Sequence, residues 1–573
     1  MSEKNKSKVE IIKENSNRLR GTISQQLDSN SVKFDKEGYE LLKFHGIYQQ
    51  DDRDLRQQLK KEGKDRKYIF MVRTKNPGGG ELTPEQWLAH DEAADRFTDG
   101  TLRITTRQDI QFHGVGKENL KDLVKHLNSK LISSYGACGD GNRNTMADPV
   151  SDIRKGSVFN SLKLAKTISD ELTFKSNAYM DIWLDGEKYD HITRNKDESE
   201  DLYGKTYMPR KFKIGIGQEI DNSVDVHTQD IGIVPVIIDN QVQGFTIFIG
   251  GGLGSNHRQK KTYPRHGTPL ALVNQKNIME VVKSILEFQR DNGDRKNRKH
   301  ARLKYVVEEW GIEKVKADIE NRLGYRLDDP VDVDLKQPAD HYGWHEQNIP
   351  GLWYLGLFIE NGRIRNTDIS KTKKGLKEII SKYRPGVRLT PLQDIILTNI
   401  PEDKIEEIEQ MLDNYGIRSH ENYSRLRLNS MACPALPTCG LALAESERYL
   451  PTFMEELEKR GYGDEDIRIR MSGCPNACSR PTTSEIGIMG ASPGKYNVYV
   501  GGDYEGTRLN SLYKELVSDV DLSDLVSDLL DVYQSKRNKG ERFGDFCYRI
   551  GNDELRSLVD DINGICSESS MAG

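Results

Sequence analysis

Gly100 to Val115 reads GTLRITTRQDIQFHGV, and Gly386 to Ile400 reads GVRLTPLQDIILTNI. Setting Arg103 on Arg388 places Thr105 on Thr390 and Gln108-Asp109-Ile110 on Gln393-Asp394-Ile395 without a gap. A strand-like run precedes each segment, Tyr68 to Arg73 and Trp353 to Glu360, and ends in a glycine-bearing turn (Gly78-Gly79-Gly80; Asn361-Gly362). An amphipathic run follows each. Leu120, Leu123, Val124, Leu127 and Leu131 recur at helical spacing before Tyr135-Gly136, as do Ile405, Ile408, Met411 and Leu412 before Tyr415-Gly416. The pattern predicts an internally duplicated strand–helix–strand unit. Chance likeness of two short strands would not bring matching helices and Tyr-Gly ends with it.

The copies differ in charge. Arg107 of the first is Leu392 in the second, and Arg73 is set against Glu360. The copy with the extra arginines is the one expected to hold an anionic ligand, because guanidinium groups pair with carboxylates and oxyanions in two-pronged fashion. A solvated surface arginine is the plainer reading of either residue taken alone.

Around this repeat the chain runs to 573 residues, enough for about three or four domain-sized units. Hydrophobic residues make up 35% and charged residues 30%, with a net charge of −5. So even a balance gives no ground for a nucleic-acid partner. The opening MSEKNKSKVEIIKENSNRLRG lacks the apolar core of a secretory signal, and no run approaches the ~18 apolar residues of a membrane span. The expected address is the cytoplasm.

Tyr207 to Gly254 mixes basic residues and glycines: TYMPRKFKIGI, strand-like runs at Ile231 to Ile238 and Phe245 to Ile249, then GGGLG from Gly250 to Gly254. The glycines permit close approach of backbone to a planar or anionic group, although they fit no dinucleotide fingerprint. A helix is expected through Ile278, Val281, Val282, Ile285 and Leu286, with Gly293 past its end. The Asp-, Pro- and His-rich stretch from Asp328 to Asn348 reads as a connector between the halves.

The seven cysteines are too few and too clustered for a disulfide framework. Four lie in MACPALPTCG (Met431 to Gly440) and MSGCPNACSRP (Met471 to Pro481). Cys433 and Cys439 are spaced C-x5-C, Cys474 and Cys478 C-x3-C, with 34 residues between the pairs. Pro434, Pro437 and Pro475 hold the thiols in loops, and a helix is expected from Leu441 to about Arg460. Four thiolates suit structural zinc or a cubane iron–sulfur cluster, and the spacing leaves both open. Cys138, Cys547 and Cys566 stand apart and read as inert thiols. His45 and His113 read as buried, hydrogen-bonded histidines.

With GCPNAC at Gly473 to Cys478, the cysteine pattern resembles the sulfite and nitrite reductases that carry siroheme beside a [4Fe-4S] cluster. NRLRGTI (Asn17 to Ile23), FHGIYQQDDRD (Phe44 to Asp54), RITTRQDIQFHG, PRKFK and GERFGDF (Gly540 to Phe546) are similar to segments of its assimilatory sulfite-reducing hemoproteins. The resemblance implies an α+β fold of duplicated ferredoxin-like halves, with further α/β domains around a siroheme–cluster centre. It implies six-electron reduction of sulfite to sulfide, nitrite reduction being the near alternative and a zinc-binding interaction protein the distant one. Cys433, Cys439, Cys474 and Cys478 would ligate the cluster, and Cys478 would bridge to the siroheme iron. Arg73, Arg143, Lys211 and Lys213 would surround the substrate. Arg103, Arg107 and Arg210 would hold the siroheme carboxylates, with Gln111 and His113 nearby. Cys138 would be a near-site thiol outside the cluster.

The division expected on this likeness is an N-terminal extended segment at 1–60, a first ferredoxin-like half at 61–145 and a first siroheme-binding domain at 146–330. A second half at 331–425 and a cluster- and siroheme-binding domain at 426–573 complete it. The chain has neither a nicotinamide fingerprint nor a flavin domain, so electrons would come from a partner. The resemblance points to a flavoprotein subunit using NADPH, a ferredoxin being the other possible donor.

Overall fold

A computed structural model describes residues 6–176, 200–256, 259, 261–336 and 341–571, with the backbone alone of 183–184, 187–188 and the stretch beyond 561. Cys566 has its side chain outside the described residues. Two compact units emerge. One comprises Met1–Gly252, Gly267–Asp334 and Ala339–Ile417; the other comprises Leu253–His266, Leu335–Pro338 and Arg418–Gly573. No helix among the described residues is long and apolar enough to cross a membrane.

The first unit contains both copies of the repeat. One antiparallel sheet runs in the order Ile47–Asp51, Tyr68–Arg73, Ile110–Val115, Leu102–Ile104, Arg363–Ile364. The other runs Gly343–Glu346, Leu352–Leu357, Ile395–Pro401, Gly386–Leu389. The copies exchange edges. Arg363–Ile364 of the second pairs with Arg103 and Leu102 of the first, and Leu82 of the first bridges Val387 of the second. Helix Pro84–Phe97 backs the first sheet. Thr83 and Gln86 cap it reciprocally and Pro84 occupies its first turn, where no helical N–H is lost. Trp87, Ala93 and Ala94 are its buried face.

The exchange explains two glycines. Gly79 and Gly362 both have positive φ, and a Cβ there would come within 2.1 Å of Leu389 O and 2.3 Å of Ile104 O. No other residue fits at either crossing.

Several sequence expectations need correction. Gly356, not Glu360, is the counterpart of Arg73: Arg73 pairs with Gln111, and Gly356 pairs with Ile396 at the matching place. The two copies have turns of different length before the shared strand, which an ungapped alignment hides. The first amphipathic helix ends at Asn128, and Leu131 lies outside it with positive φ and 90% exposure. The helix after Cys439 begins only at Leu450, with Pro451 in its first turn. A proline inside a longer helix would clash with the preceding turn. The Asp328-to-Asn348 stretch is more than a connector, since Gly343–Glu346 is an edge strand and His341 is buried.

A second duplication leaves little trace in the sequence. In the first unit Met146–Ala147, Ile214–Ile216, Ile231–Ile238, Gln241–Ile249 and Thr268–Val273 form a sheet with successive pairings parallel, parallel, antiparallel, antiparallel. In the second unit Ser430–Ala432, Ile469–Ser472, Ile486–Ser492, Lys495–Val500 and Ser511–Ser518 repeat that order. Helices of 15 and 8 residues follow each sheet, Ile278–Asn292 and Leu303–Trp310 in one, Leu522–Lys536 and Phe543–Ile550 in the other.

Candidate functional site

In the first unit four strands place polar side chains in register: Arg73 opposite Gln111, Gln111 opposite Arg103, Arg103 opposite Arg363. Directly opposed residues share a face of an antiparallel sheet, so three guanidiniums and an amide form one row. His113, two residues beyond Gln111, shares that face. Gln111, with its amide turned so that oxygen faces Arg73, accepts from Arg73 Nη2 and from Nε at 3.0 Å. Arg363 Nη1 donates to His113 Nδ1 at 3.3 Å and to Thr101 Oγ1 at 3.0 Å. Burial, then the charges of Arg363, Arg103 and Arg73, holds the His113 ring well below the usual imidazole range. His113 is therefore neutral, with Nδ1 as acceptor.

The second copy has no such row. Its equivalent places carry Gly356, Ile396 and Arg388. Arg388 is neutralised by Asp152 and by Glu81 at 3.1 Å. The first copy gathers Arg73, Arg103 and Arg363 on one face beside the Gln111 amide, an arrangement suited to anions.

Arg143 and the two lysines are brought together. Arg143 N donates to Phe212 O at 2.8 Å, and Phe212 N donates to Gly141 O at 3.0 Å, so the two segments run side by side. Phe212 is buried, while Lys211 and Lys213 on either side of it are half-buried. Arg143 is fixed by Nε to Gly139 O at 2.8 Å and Nη1 to Ala137 O at 3.2 Å. Arg107 is a cross-tie: Nη1 donates to Gln229 Oε1 at 2.8 Å, and Nη2 donates to Ile214 O at 3.2 Å and to Asn144 O. Burial pushes the Arg210 guanidinium down while Asp140 pulls it up.

Some site residues escaped the sequence reading. Arg363 is supplied by the other copy, and only the edge exchange reveals it. Tyr48 is half-buried near Cys138, Arg143 and Arg73; desolvation raises its phenol, and it hydrogen-bonds Arg143. Asp230 anchors Lys213 by accepting its backbone N–H at 2.8 Å, and Arg302 grips Asp230 with Nε at 3.1 Å and Nη2 at 2.8 Å. The second unit repeats the device: Glu485 accepts the N–H of Arg468 at 3.0 Å, with Arg542 Nη2 3.7 Å away. DIGI at Asp230 to Ile233 and EIGI at Glu485 to Ile488 were the available signal. Of the GGGLG run, Gly251 serves internal packing, since a Cβ there would reach His227 O at 2.2 Å.

In the second unit the cysteine pairs begin at the C-terminal ends of two adjacent parallel strands, Ser430–Ala432 and Ile469–Ser472. Such ends collect ligands in α/β sheets. Gly473 N donates to Cys433 Sγ at 3.3 Å and Asn476 Nδ2 to Cys474 Sγ at 3.4 Å. Ser479 Oγ donates to Met471 O and shares a hydrogen bond with Ser472 Oγ, each 2.6 Å long, and these pin the loop's return. Burial, then the neighbouring cysteines, pushes the Cys439 and Cys474 thiols up to about 11. Cys439 and Cys474 would bind metal as thiolates, and a bound cation would offset the cost of ionising them.

Among the described residues, the group of three or more ligating atoms within 4.8 Å of one another is Asp148, Asp221 and His341; the cysteine sulfurs form no such set. The acidic group is already neutralised, for Arg154 donates to Asp148 at 2.7 Å and to Asp221 at 3.1 Å. Cys547 is buried, and that burial holds its thiol well above the usual range. His45 is buried, its ring pushed down to about 4 and its Nε2 3.3 Å from Leu19 O.

The nitrite and sulphite reductase 4Fe-4S domain matches residues 138–327 and 423–564, and the nitrite/sulfite reductase ferredoxin-like half domain matches 61–130 and 345–415. The chain is 44% identical over 551 residues to a sulfite reductase [NADPH] hemoprotein beta-component of Staphylococcus haemolyticus, covering 95% of each. It is 43% identical over 550 residues to the protein of that name from Geobacillus kaustophilus, covering 95% of this chain and 96% of the relative. Its fold is that of the Mycobacterium tuberculosis NirA protein, with TM-score 0.75 and 23% identity over 95% of this chain and 96% of the other. With both pairs of duplicated elements matched by these domains and 44% identity over 95% of the chain, the chain belongs to the nitrite and sulphite reductase family.

Proposed function

We propose that this chain is the catalytic subunit of an assimilatory sulfite reductase, taking sulfite to sulfide with six electrons passed on by a flavoprotein subunit that draws on NADPH. The observation that carries the reading is the Arg73–Gln111–Arg103–Arg363 row, retained in one copy of the repeat and absent from the other. The names of the relatives matched over 95% of the chain supply the substrate and the need for a partner.

Cys433, Cys439, Cys474 and Cys478 would hold the [4Fe-4S] cluster, and Cys478 would also serve the siroheme. Together these groups supply stored electrons and an iron site for the substrate. Arg103, Arg210 and Arg363 would pair with siroheme carboxylates, Gln111 and neutral His113 completing the row, and Arg107 adds charge from behind. Arg73, Arg143, Lys211 and Lys213 would bind the anion and strengthen as water is excluded. The lysines can also release protons as S–O bonds break.

Purified protein from siroheme-competent cells should show heme and iron–sulfur absorption, with about five irons per chain, four of the cluster and one of siroheme, and about four acid-labile sulfides. Reduced methyl viologen should support a higher kcat/KM with sulfite than with nitrite. The opposite preference would favour nitrite reduction, and colourless zinc-loaded protein would refute both.

A further inference from the structure

Asp109 and Asp394 occupy equivalent places in the two copies, and half of each carboxylate does the same work. Oδ1 of Asp109 accepts from Asn76 N at 3.2 Å, and Oδ1 of Asp394 from Ile359 N at 2.8 Å. The second oxygens differ. Asp394 Oδ2 accepts from the Tyr342 hydroxyl at 2.9 Å, whereas Asp109 Oδ2 is buried and receives no hydrogen bond. Capping the turn therefore accounts for all of Asp394 and only half of Asp109.

The groups facing Asp109 are cations: Arg73 from the adjoining strand, Lys75 from the segment after it, and Arg107 from its own loop. Uncharged groups complete the surroundings. Asn144 Nδ2 donates to Asn76 O at 2.7 Å and to Arg107 O at 2.8 Å, while Asn144 Oδ1 and Thr145 Oγ1 are buried without partners. Buried polar atoms grouped in this way are satisfied by ordered water.

Lys75 continues the line outward. Its Nζ donates to Thr173 Oγ1 at 2.8 Å, and it lies within electrostatic reach of Asp109 and of Asp170, which also accepts from Lys166 Nζ at 2.6 Å. Asp170 lies on helix Ser161–Glu171 with its side chain 60% exposed. Burial pushes the Asp109 carboxyl up to about 7 against the pull of its cations, and pushes Lys75 down to about 8 against the two aspartates. Both exchange protons near neutral pH.

We propose that Asp170, Lys75 and Asp109 form a proton-entry route from solvent to the cationic face that carries Arg73. The proposal rests on the reduction described above, whose departing oxygens consume protons that arginine cannot give up. A proton passes from the Asp109 carboxylic acid to a water at that face, leaving a carboxylate stabilised by Arg73, Arg107 and Lys75. The Lys75 ammonium then reprotonates Asp109, and a hydronium ion from bulk water at Asp170 restores the ammonium. No electron moves in these steps. Asp109 and Lys75 are relay residues and do not touch substrate.

The test uses the holoenzyme. Asp109→Asn preserves the Oδ1 cap but holds no exchangeable proton. It should lower kcat for viologen-driven sulfite reduction by roughly tenfold or more, leave KM unchanged, and remove the pH–rate limb near neutrality. Lys75→Met should do the same. Asp394→Asn, the cap without the relay, should alter thermal stability and leave the pH profile alone. Infrared pH titration supplies a readout independent of turnover. A protonated-carboxyl band should vanish as pH rises through about 7 in the parent and be missing from Asp109→Asn. Should Asp109→Asn fail to load cofactor, the parent's infrared titration and the Lys75→Met profile decide. Parent-like pH profiles in the variants, or no such band, would overturn the route. Absence of sulfite turnover in the parent would instead overturn the reaction.

Discussion

Gln108 of the first copy donates its side-chain N–H to the carbonyl of Leu389 in the second, at 3.0 Å. The same nitrogen serves Gly78 O at 2.8 Å and Ala147 O at 2.9 Å, while its oxygen accepts from Ala147 N at 3.0 Å. One buried amide thus ties the turn before the cationic strand to the other copy and to the start of the next sheet. Its duplicate, Gln393, is buried with neither amide atom hydrogen-bonded. Gln108→Leu should therefore cost about 3 kcal/mol, by stranding the Ala147 N–H and several carbonyls. Gln393→Leu should cost less than about 1 kcal/mol or be neutral. Denaturant melts of the two variants should differ accordingly; equal losses would mean that the amides are equivalent.

Arg363 reaches the row from the opposite copy, so its charge can be removed without disturbing the strands that carry Arg73 and Arg103. Arg363→Gln retains a donor for Thr101 and His113. Siroheme retained per chain should fall several-fold, with cysteine-held iron unchanged. Full heme content in this variant would exclude Arg363 from carboxylate binding.

The N-terminal helix Lys8–Glu14 is fastened by buried charges. Lys13 Nζ donates to Met208 O at 2.8 Å and pairs with Glu10 and with Asp140 at 3.3 Å; Arg298 reaches Asp140 at 2.6 Å. Burial alone would raise the Asp140 carboxyl from 3.8, but Lys13, Arg298 and Arg210 outweigh it and hold it well below. The folded state thus binds this proton more weakly than the unfolded state. Its stabilising contribution is complete above pH 3.8 and drains away as pH falls further. Asp140→Asn should be about 3 kcal/mol less stable than the parent at neutral pH, the usual cost of breaking a buried pair. The gap should begin to narrow in melts taken below about pH 4 and go on shrinking as pH falls further.

Cys474→Ser should abolish the cluster, measured as iron and acid-labile sulfide per chain. Cys138→Ser should leave both unchanged, because the proposed ligand set is Cys433, Cys439, Cys474 and Cys478, and Cys138 is a buried thiol of the first unit. Loss of cluster signal on changing Cys138 would overturn the ligand set.

The ferredoxin-like pair was legible because the Gln-Asp-Ile turn keeps its sequence and one shared bond in both copies, the first carboxylate oxygen of Asp109 and of Asp394 capping the preceding turn. The cysteines were legible because thiolate ligands have few substitutes. The second duplication was not, since strands buried on both faces accept any apolar residue; only DIGI and EIGI survive. There Gly232 and Gly487 press against Val226 O and Pro481 O, leaving no room for a Cβ. Arg363 was illegible for another reason. Local spacing describes what a residue's own strand does, and its place in the row depends on pairing with a strand 260 positions earlier, at Arg103. The misplaced match of Arg73 to Glu360 has the same origin, in a turn whose length only pairing reveals.

Because each copy lends the other an edge, neither can be judged as a free-standing piece. The arrangement is that of a two-fold dimer welded into one polypeptide. Fusion lets the partners drift apart without dissociating. One could keep its arginines while the other surrendered the matching places to Gly356 and Ile396 and persisted as a buttress. Cut the chain between them, and each fragment would present an unpaired strand edge to solvent, inviting either reunion with its lost neighbour or aggregation.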